Sequence, residues 1–97
     1  MKGEWGLEFE WDPDKARTNL RKHGVRFSEA ATVFADPLSE TFSDPCHSTD
    51  EVRYVTVGLS TKGKLLVVMH TDRGSRIRII SARTTTRSER NYYEEKR

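Results

Sequence analysis

One cysteine, three prolines and no apolar run longer than five residues are what this 97-residue chain has little of. Each scarcity excludes a class. The longest apolar run, Leu65 to Met69, falls far short of the about 20 residues that span a bilayer, so no membrane is expected among its partners. Cys46 stands alone and permits no intrachain disulfide. With His47 beside it but no further ligand pair at zinc spacing, it offers no metal framework, and no metal or other cofactor is expected. Met1 to Trp5 lacks the continuous apolar segment of a secretory signal, which gives a cytoplasmic expectation. No repeat, low-complexity tract or Gly/Ser linker divides the chain, so residues 1–97 read as a single domain.

What is abundant is charge, at 33% of residues, and it is unevenly placed. Residues 1–50 carry six Lys/Arg against ten Asp/Glu, a net of −4, while residues 51–97 carry eleven against five, a net of +6. Six arginines (Arg73, Arg76, Arg78, Arg83, Arg87, Arg90) fall within eighteen residues that hold a single acid, Glu89. Such a division suits a polyanionic partner, and it suits a solvated basic face equally well.

Local patterns give an α+β domain. Leu7 to Trp11 alternates apolar and acidic residues at the period of a half-buried strand. Asp12-Pro13 starts a helix that Gly24 stops, with Ala16, Leu20 and His23 as its inward stripe. Ser28 is positioned to cap a second helix that buries Ala30, Ala31, Val33 and Phe34 and ends at Asp36-Pro37. Leu38 to Phe42 can form a short strand. Three firmer strands follow over Val52–Ser60, Lys64–Thr71 and Arg76–Arg83, joined by short turns. Thr86-Arg87-Ser88-Glu89 is a capping box that opens a last helix through Tyr92 and Tyr93. The expectation is two N-terminal helices and a C-terminal helix packed on one face of an antiparallel sheet of about four strands.

In the last strand, alternation sends Ile77 and Ile79 to one face and Arg76 and Arg78 to the other. Arg53 and His70 on the preceding strands are expected to join Arg76 and Arg78, with Lys22, Arg83 and Arg87 at the rim. Such a surface suits a phosphodiester, because guanidinium forks match phosphate oxygens. Cleavage of RNA by its own 2′-hydroxyl needs a base, an acid and cations around the phosphorane, and it can run without a metal. Histidine is the usual proton carrier. Each part also has a plainer reading. His23 can be a helix-end residue that complements the dipole, His47 an exposed loop residue and His70 a residue of the core edge. Arg83 can pair with Glu89 or Glu94, and Tyr93 can pack on the sheet. Glu51 and Glu89 are bases without a carboxylate partner.

Taken together, several blocks resemble one family. Trp11-Asp12-Pro13-Asp14-Lys15, then Asn19, Lys22-His23-Gly24-Val25, Phe27 and Glu29-Ala30 form the first part. Arg78-Ile79-Ile80-Ser81-Ala82-Arg83, followed by Glu89-Arg90 and Tyr93, form the second. The combination resembles the BrnT family of bacterial type II toxins and covers Leu7 to Glu94. The resemblance implies a RelE-like fold and a ribonuclease that halts translation by cutting RNA (mRNA, free or on the ribosome). It also implies a BrnA-like antitoxin with a ribbon-helix-helix domain, in a two-to-two complex that contacts DNA only through the antitoxin. Matching positions include Lys22, His23, Arg53, His70-Thr71, Arg78, Ser81, Arg83, Glu89 and Tyr93. The resemblance does not assign the general acid and base; with the reading of the residues beside it, His70, His23, Arg78, Arg83 and Tyr93 are the catalytic candidates, and Lys22, Arg53, Arg76 and Arg87 the RNA-binding ones. Met1 to Gly6 falls outside the family pattern and is expected to be either an extension, which can be disordered, or the product of a misassigned start codon. A non-catalytic basic module that docks an acidic protein or a nucleic acid is the competing reading.

Overall fold

The computed structural model describes residues 6–45 and 51–95. Cys46 and His47, as well as Met1 to Trp5 of the expected extension, lie outside the described residues. The elements are β1 (Glu8–Glu10), α1 (Pro13–His23), α2 (Phe27–Thr32) with a 3₁₀ turn over Val33–Ala35, β2 (Glu40–Ser43), β3 (Arg53–Leu59), β4 (Leu65–Arg73), β5 (Arg76–Thr84) and α3 (Arg87–Glu94). Among the described residues no helix is long and apolar enough to cross a membrane.

Local chemistry sets the helix ends. The Asp12 carboxylate accepts from the Asp14 amide at 2.8 Å and Pro13 occupies the first turn. Gly24 closes α1 at φ 69°, in the left-handed region that glycine enters without a Cβ clash, and its N–H reaches Leu20 O. Thr86 and Glu89 form the expected reciprocal capping box of α3. In α2 the capping position belongs to Arg26 instead of Ser28, and no side chain caps it.

The sheet has five strands in the order β1-β5-β4-β3-β2, and it is mixed, which corrects the antiparallel sheet of about four. The short acidic strand β1 lies parallel to β5, with Glu8 opposite Arg76 and Glu10 opposite Arg78. Because α1, α2 and three strands intervene in the chain, only this non-local pairing brings the opposite charges together. The helices also divide between the faces. The first face packs Phe9, Leu66, Val68, Ile79 and Ala82 against Val25, Phe27, Ala30 and Val33 of the α2 region. On the second face Tyr93 of α3 packs on Val57, Leu65 and Val67. An eight-residue helix covers only about 12 Å of that face.

Gly58 and Asp36 join the two layers. A Cβ on Gly58 would lie 2.8 Å from both Ser39 Cβ and Val33 Cγ1, so glycine is what lets the 3₁₀ segment rest directly on β3. The Asp36 carboxylate then accepts from the Leu59 amide at 2.7 Å and from the Tyr93 hydroxyl at 2.6 Å.

Asn19 replaces His23 as the buried polar residue of α1. It is 5% exposed, whereas His23 lies in solvent. The Asn19 side chain donates to Val25 O at 3.0 Å and to Ala82 O at 2.8 Å, and it accepts from Ala82 N at 3.0 Å. The N–H and C=O of one strand residue point to the same edge. Asn19 therefore takes the place of a strand partner along β5, beyond the point where the β1 pairing ends at Arg78. The same stretch of β5 is bulged. Met69 opposes Ser81 while His70 opposes Ile79, which leaves Ile80 as the additional residue.

Two stability measurements check this account. Asn19→Ala strands three backbone groups and should lower the free energy of urea unfolding by about 2–4 kcal/mol; Asn19→Asp should cost at least as much, since it turns a carboxylate toward two carbonyls. Burial holds the folded His70 imidazole down at about 4 from an ordinary 6.5, partly offset by Asp72. The unfolded chain then takes up the proton first, so stability should fall by about 3 kcal/mol as pH drops from 6.5 to 4. A His70→Gln variant should lose that part of the acid dependence in the same unfolding titration.

Candidate functional site

Sheet register builds one continuous row on the second face. Glu10 lies opposite Arg78, Arg78 opposite Thr71, and Thr71 opposite Arg53. Residues directly opposite in neighbouring strands point the same way, so the expected juxtaposition of Arg53, Arg76 and Arg78 is present. His70 is not part of it. By alternation it belongs with Leu66 and Val68 on the helix-covered face, and Thr71 stands in the row where it was expected. The Thr71 hydroxyl is committed to the Val52 carbonyl at 2.5 Å.

The bulge changes which residues of β5 share this face. Uninterrupted alternation would turn Arg83 toward α1 and α2 with Ile77 and Ile79. The extra residue Ile80 shifts the parity, and Arg83 now opposes Val67 on the side of Arg78 and Ser81. Met69 and Val55, both half-buried, form an apolar floor in the intermediate row, between Ser81 and Phe42.

Four arginines of the face lie against three carboxylates, Glu10, Glu51 and Glu89. Arg78 Nη1 donates to Glu10 Oε2 at 2.8 Å, and Arg76 lies 3.7 Å from the other oxygen of Glu10. Arg83 grips Glu89 with both Nη atoms at 2.8 and 2.9 Å, a bidentate fork. Arg53 Nη2 stands 3.5 Å from Glu51. Hydrogen bonding from Arg78 holds the Glu10 carboxyl below the ordinary carboxylate range. The Arg83 fork, aided by the Thr86 amide, pulls Glu89 down to about 2 and raises Arg83 in turn. The four arginines lie on a part of the sheet that α3 leaves open, and the carboxylates fix where three of the guanidinium groups point.

A groove at the β5 edge continues this face. Asp14, Lys15, Thr18, Asn19, Lys22 and His23 of α1 line one wall, and Ile80 and Ser81 of the bulge line the other. Ser81 thus belongs both to the groove and to the arginine face. Lys22 and His23 meet the site at its rim, and His23 is not the inward residue that its helical spacing predicts.

The remaining candidates lie elsewhere. His70 is 4% exposed, with Phe34 at 4.9 Å and Tyr54 at 5.8 Å between ring centroids. Its Nε2 is 2.7 Å from the Thr56 hydroxyl, which is 2.7 Å from that of Thr41. Tyr93 is 3% exposed, and its hydroxyl is spent on Asp36. Arg87 is exposed in the first turn of α3, with no ion pair among the described residues. Two participants escape sequence reasoning, Glu10 and Asn19. The signals were a strand of alternating acids that matches the arginine alternation of β5, and an amide placed among the apolar positions of α1. No group of three or more metal-ligating side chains occurs among the described residues.

Comparison with known proteins follows this geometry closely. A family profile described as the ribonuclease toxin BrnT of type II toxin–antitoxin systems matches residues 11–89, a span that holds every residue of the face and groove except Glu10. The crystal structure of the Brucella abortus ribonuclease toxin BrnT aligns with a TM-score of 0.66 at 21% identity, covering 84% of this chain and 99% of that one; at that identity the likeness is one of fold. A search of curated proteins finds no matching sequence. With α1, the bulged β5 and the α3 cap all inside the matched span, the chain belongs to the BrnT family of type II toxin–antitoxin ribonuclease toxins.

Proposed function

We propose that this protein is a cytoplasmic endoribonuclease toxin that cleaves RNA through attack of a 2′-hydroxyl on the adjacent phosphate. The observation that carries the reading is the convergence of Arg53, Arg78 and Arg83 on the open part of one sheet face. In the reaction the 2′-oxygen bonds to phosphorus, the bond to the 5′-oxygen breaks, and negative charge grows on the non-bridging oxygens. Arg78 and Arg83 meet that charge, and Arg53 and Arg76 hold the neighbouring phosphate. Glu10 and Glu89 keep the guanidinium groups in place before substrate arrives and give up part of their hydrogen bonding when phosphate enters. A base accepts the proton from the 2′-hydroxyl and an acid returns one to the 5′-oxygen. His23, exposed at the groove beside Ser81, is the imidazole available for this transfer. Lys22 contributes charge at the same rim. Met69 and Val55 give a base an apolar surface to lie on. Buried as they are, His70 and Tyr93 support the sheet and do not touch RNA.

By family membership the toxin is held in check by an antitoxin, and a BrnA-like ribbon-helix-helix protein in a two-to-two complex fits that role. DNA contact then comes through the antitoxin. The competing reading, a non-catalytic docking module, draws on the carboxylates already seated on these arginines, which an acidic protein surface could replace.

Cleavage of a defined RNA by purified protein separates the two. Arg78→Ala should lower kcat/KM by about 10- to 150-fold, the equivalent of 1.5–3 kcal/mol, and Arg78→Lys should recover only part, since an ammonium lacks the fork. RNA left intact by the wild-type protein, or cut at full rate by a folded Arg78→Ala/Arg83→Ala double variant, would refute the enzymatic reading.

Acid titration checks how firmly the site is held. The folded Glu89 carboxyl sits near 2 against an ordinary 4.5, so its contribution to stability is complete above pH 4.5 and declines as pH falls toward 2. Glu89→Gln should remove that low-pH slope in an unfolding titration. It should also reduce cleavage at neutral pH, because Arg83 loses its anchor.

A further inference from the structure

The division of charge along the sequence conceals a second basic surface in the acidic half. Residues 15–26 contain five Lys/Arg and no Asp/Glu. Lys15, Arg17, Arg21, Lys22 and Arg26 are all exposed on α1 and the turn after it. Arg17 pairs with Asp14, and among the described residues no ion pair involves Lys15, Arg21, Lys22 or Arg26. The contrast with the sheet is clear: there Arg53, Arg76, Arg78 and Arg83 lie against carboxylates, here four of the five cations have no ion pair among the described residues.

Helix stability accounts for part of this surface. Arg21 and Lys22 lie in the last turn of α1, where positive charge complements the dipole. Lys15 lies near the opposite end, where a cation is unfavourable, and Arg26 lies beyond the helix altogether. Folding alone supplies no reason for either. Placement supplies one. Lys15 and Lys22 line the groove that ends at Ser81, so these two unpaired cations run on from the arginine face around the β5 edge, and Arg26 lines a separate groove with Arg17.

We propose that this α1 surface carries the backbone of single-stranded RNA flanking the scissile phosphate. The strand leaves the arginine face, crosses the bulge at Ile80-Ser81 and follows α1. The helix is about 16 Å long at 1.5 Å per residue, room for a few phosphates. Flexible, unpaired Lys and Arg side chains suit contacts that carry charge and no sequence information, while the fixed arginines of the sheet hold the reacting group. This inference rests on RNA being the substrate, and it adds a footprint distinct from the cleavage site.

The test is a Lys15→Gln/Arg21→Gln/Arg26→Gln variant, which leaves the sheet face, Lys22 and His23 intact, checked for folding by its melting curve. A Lys15→Gln/Arg26→Gln variant serves if the triple is unstable. Cleavage of a five-nucleotide RNA and of a 20-nucleotide RNA containing it is followed over a salt series. For the triple variant kcat/KM on the 20-mer should drop about 10- to 100-fold, while the 5-mer stays within about twofold. The salt slope of 20-mer binding, read by fluorescence anisotropy, should shrink by about 2, at about 0.7 per lost phosphate contact. Equal losses on both lengths, an unchanged salt slope, or loss of binding to an acidic protein with RNA binding intact would overturn the proposal. Should the wild-type protein cleave neither RNA, the enzymatic reading fails by itself, and the anisotropy slope still decides whether α1 contacts RNA.

Discussion

The Asn19 carboxamide makes three buried hydrogen bonds with the backbone, donating to Val25 O and Ala82 O and accepting from Ala82 N, and the arrangement of the site depends on them. Among the described residues the outer edge of β5 has no strand to pair with beyond Arg78, and two backbone groups of a buried residue would be left without partners. The amide satisfies both and fixes α1 alongside β5, next to the bulge at Ile80. Two features meet at this edge. The bulge turns Arg83 onto the face of Arg78, and the docked helix brings Lys22 and His23 to the same edge. A strand in that place would have completed the sheet and closed the groove.

Electrostatics then divides the protein's cations into two kinds. Arg53, Arg78 and Arg83 of the sheet are half-buried, held by Glu51, Glu10 and Glu89, and fixed in direction before any ligand arrives. A held guanidinium loses little conformational freedom when it meets phosphate, which favours a defined geometry for a developing charge. Those of α1 are exposed, and apart from Arg17 none has an ion pair among the described residues; cations of this kind contribute to a summed field more than to any one contact. Holding charge in this way has a cost, since a phosphate must displace carboxylate contacts. That cost selects for ligands that present several anionic oxygens at once.

Much of this was legible in the sequence because local rules govern it. Asp12-Pro13, Gly24 and the Thr86-Glu89 box set helix ends through contacts a few residues apart, and the alternation of Arg76 and Arg78 with Ile77 and Ile79 is a property of any strand. The blocks around Lys22-His23-Gly24 and Ile79-Ile80-Ser81-Ala82 pointed to the family that the profile match shows. What was not legible is non-local. The parallel pairing of β1 with β5 joins residues nearly seventy positions apart, so Glu10 read as an acidic edge and not as the holder of Arg78. One extra residue at Ile80 inverts the facing of everything after it, and no propensity marks it. His70 was misplaced for a simpler reason. Its own alternation with Leu66 and Val68 named the buried face, but the attraction of an imidazole beside arginines outweighed that pattern. Tyr93 read as either packed or stacking, and the Asp36 hydrogen bond makes it packed.

In the proposed reaction RNA meets the face shared by Arg78, Ser81 and Arg83. A nuclear magnetic resonance titration with an uncleavable 2′-O-methyl oligoribonucleotide tests it directly. The predicted result is progressive shifts of the Arg78 and Arg83 side-chain N–H signals and of the Ser81 amide, with the His70 ring signals unmoved. Shifts confined to the His70 face or to α2, with those of β5 unchanged, would contradict it.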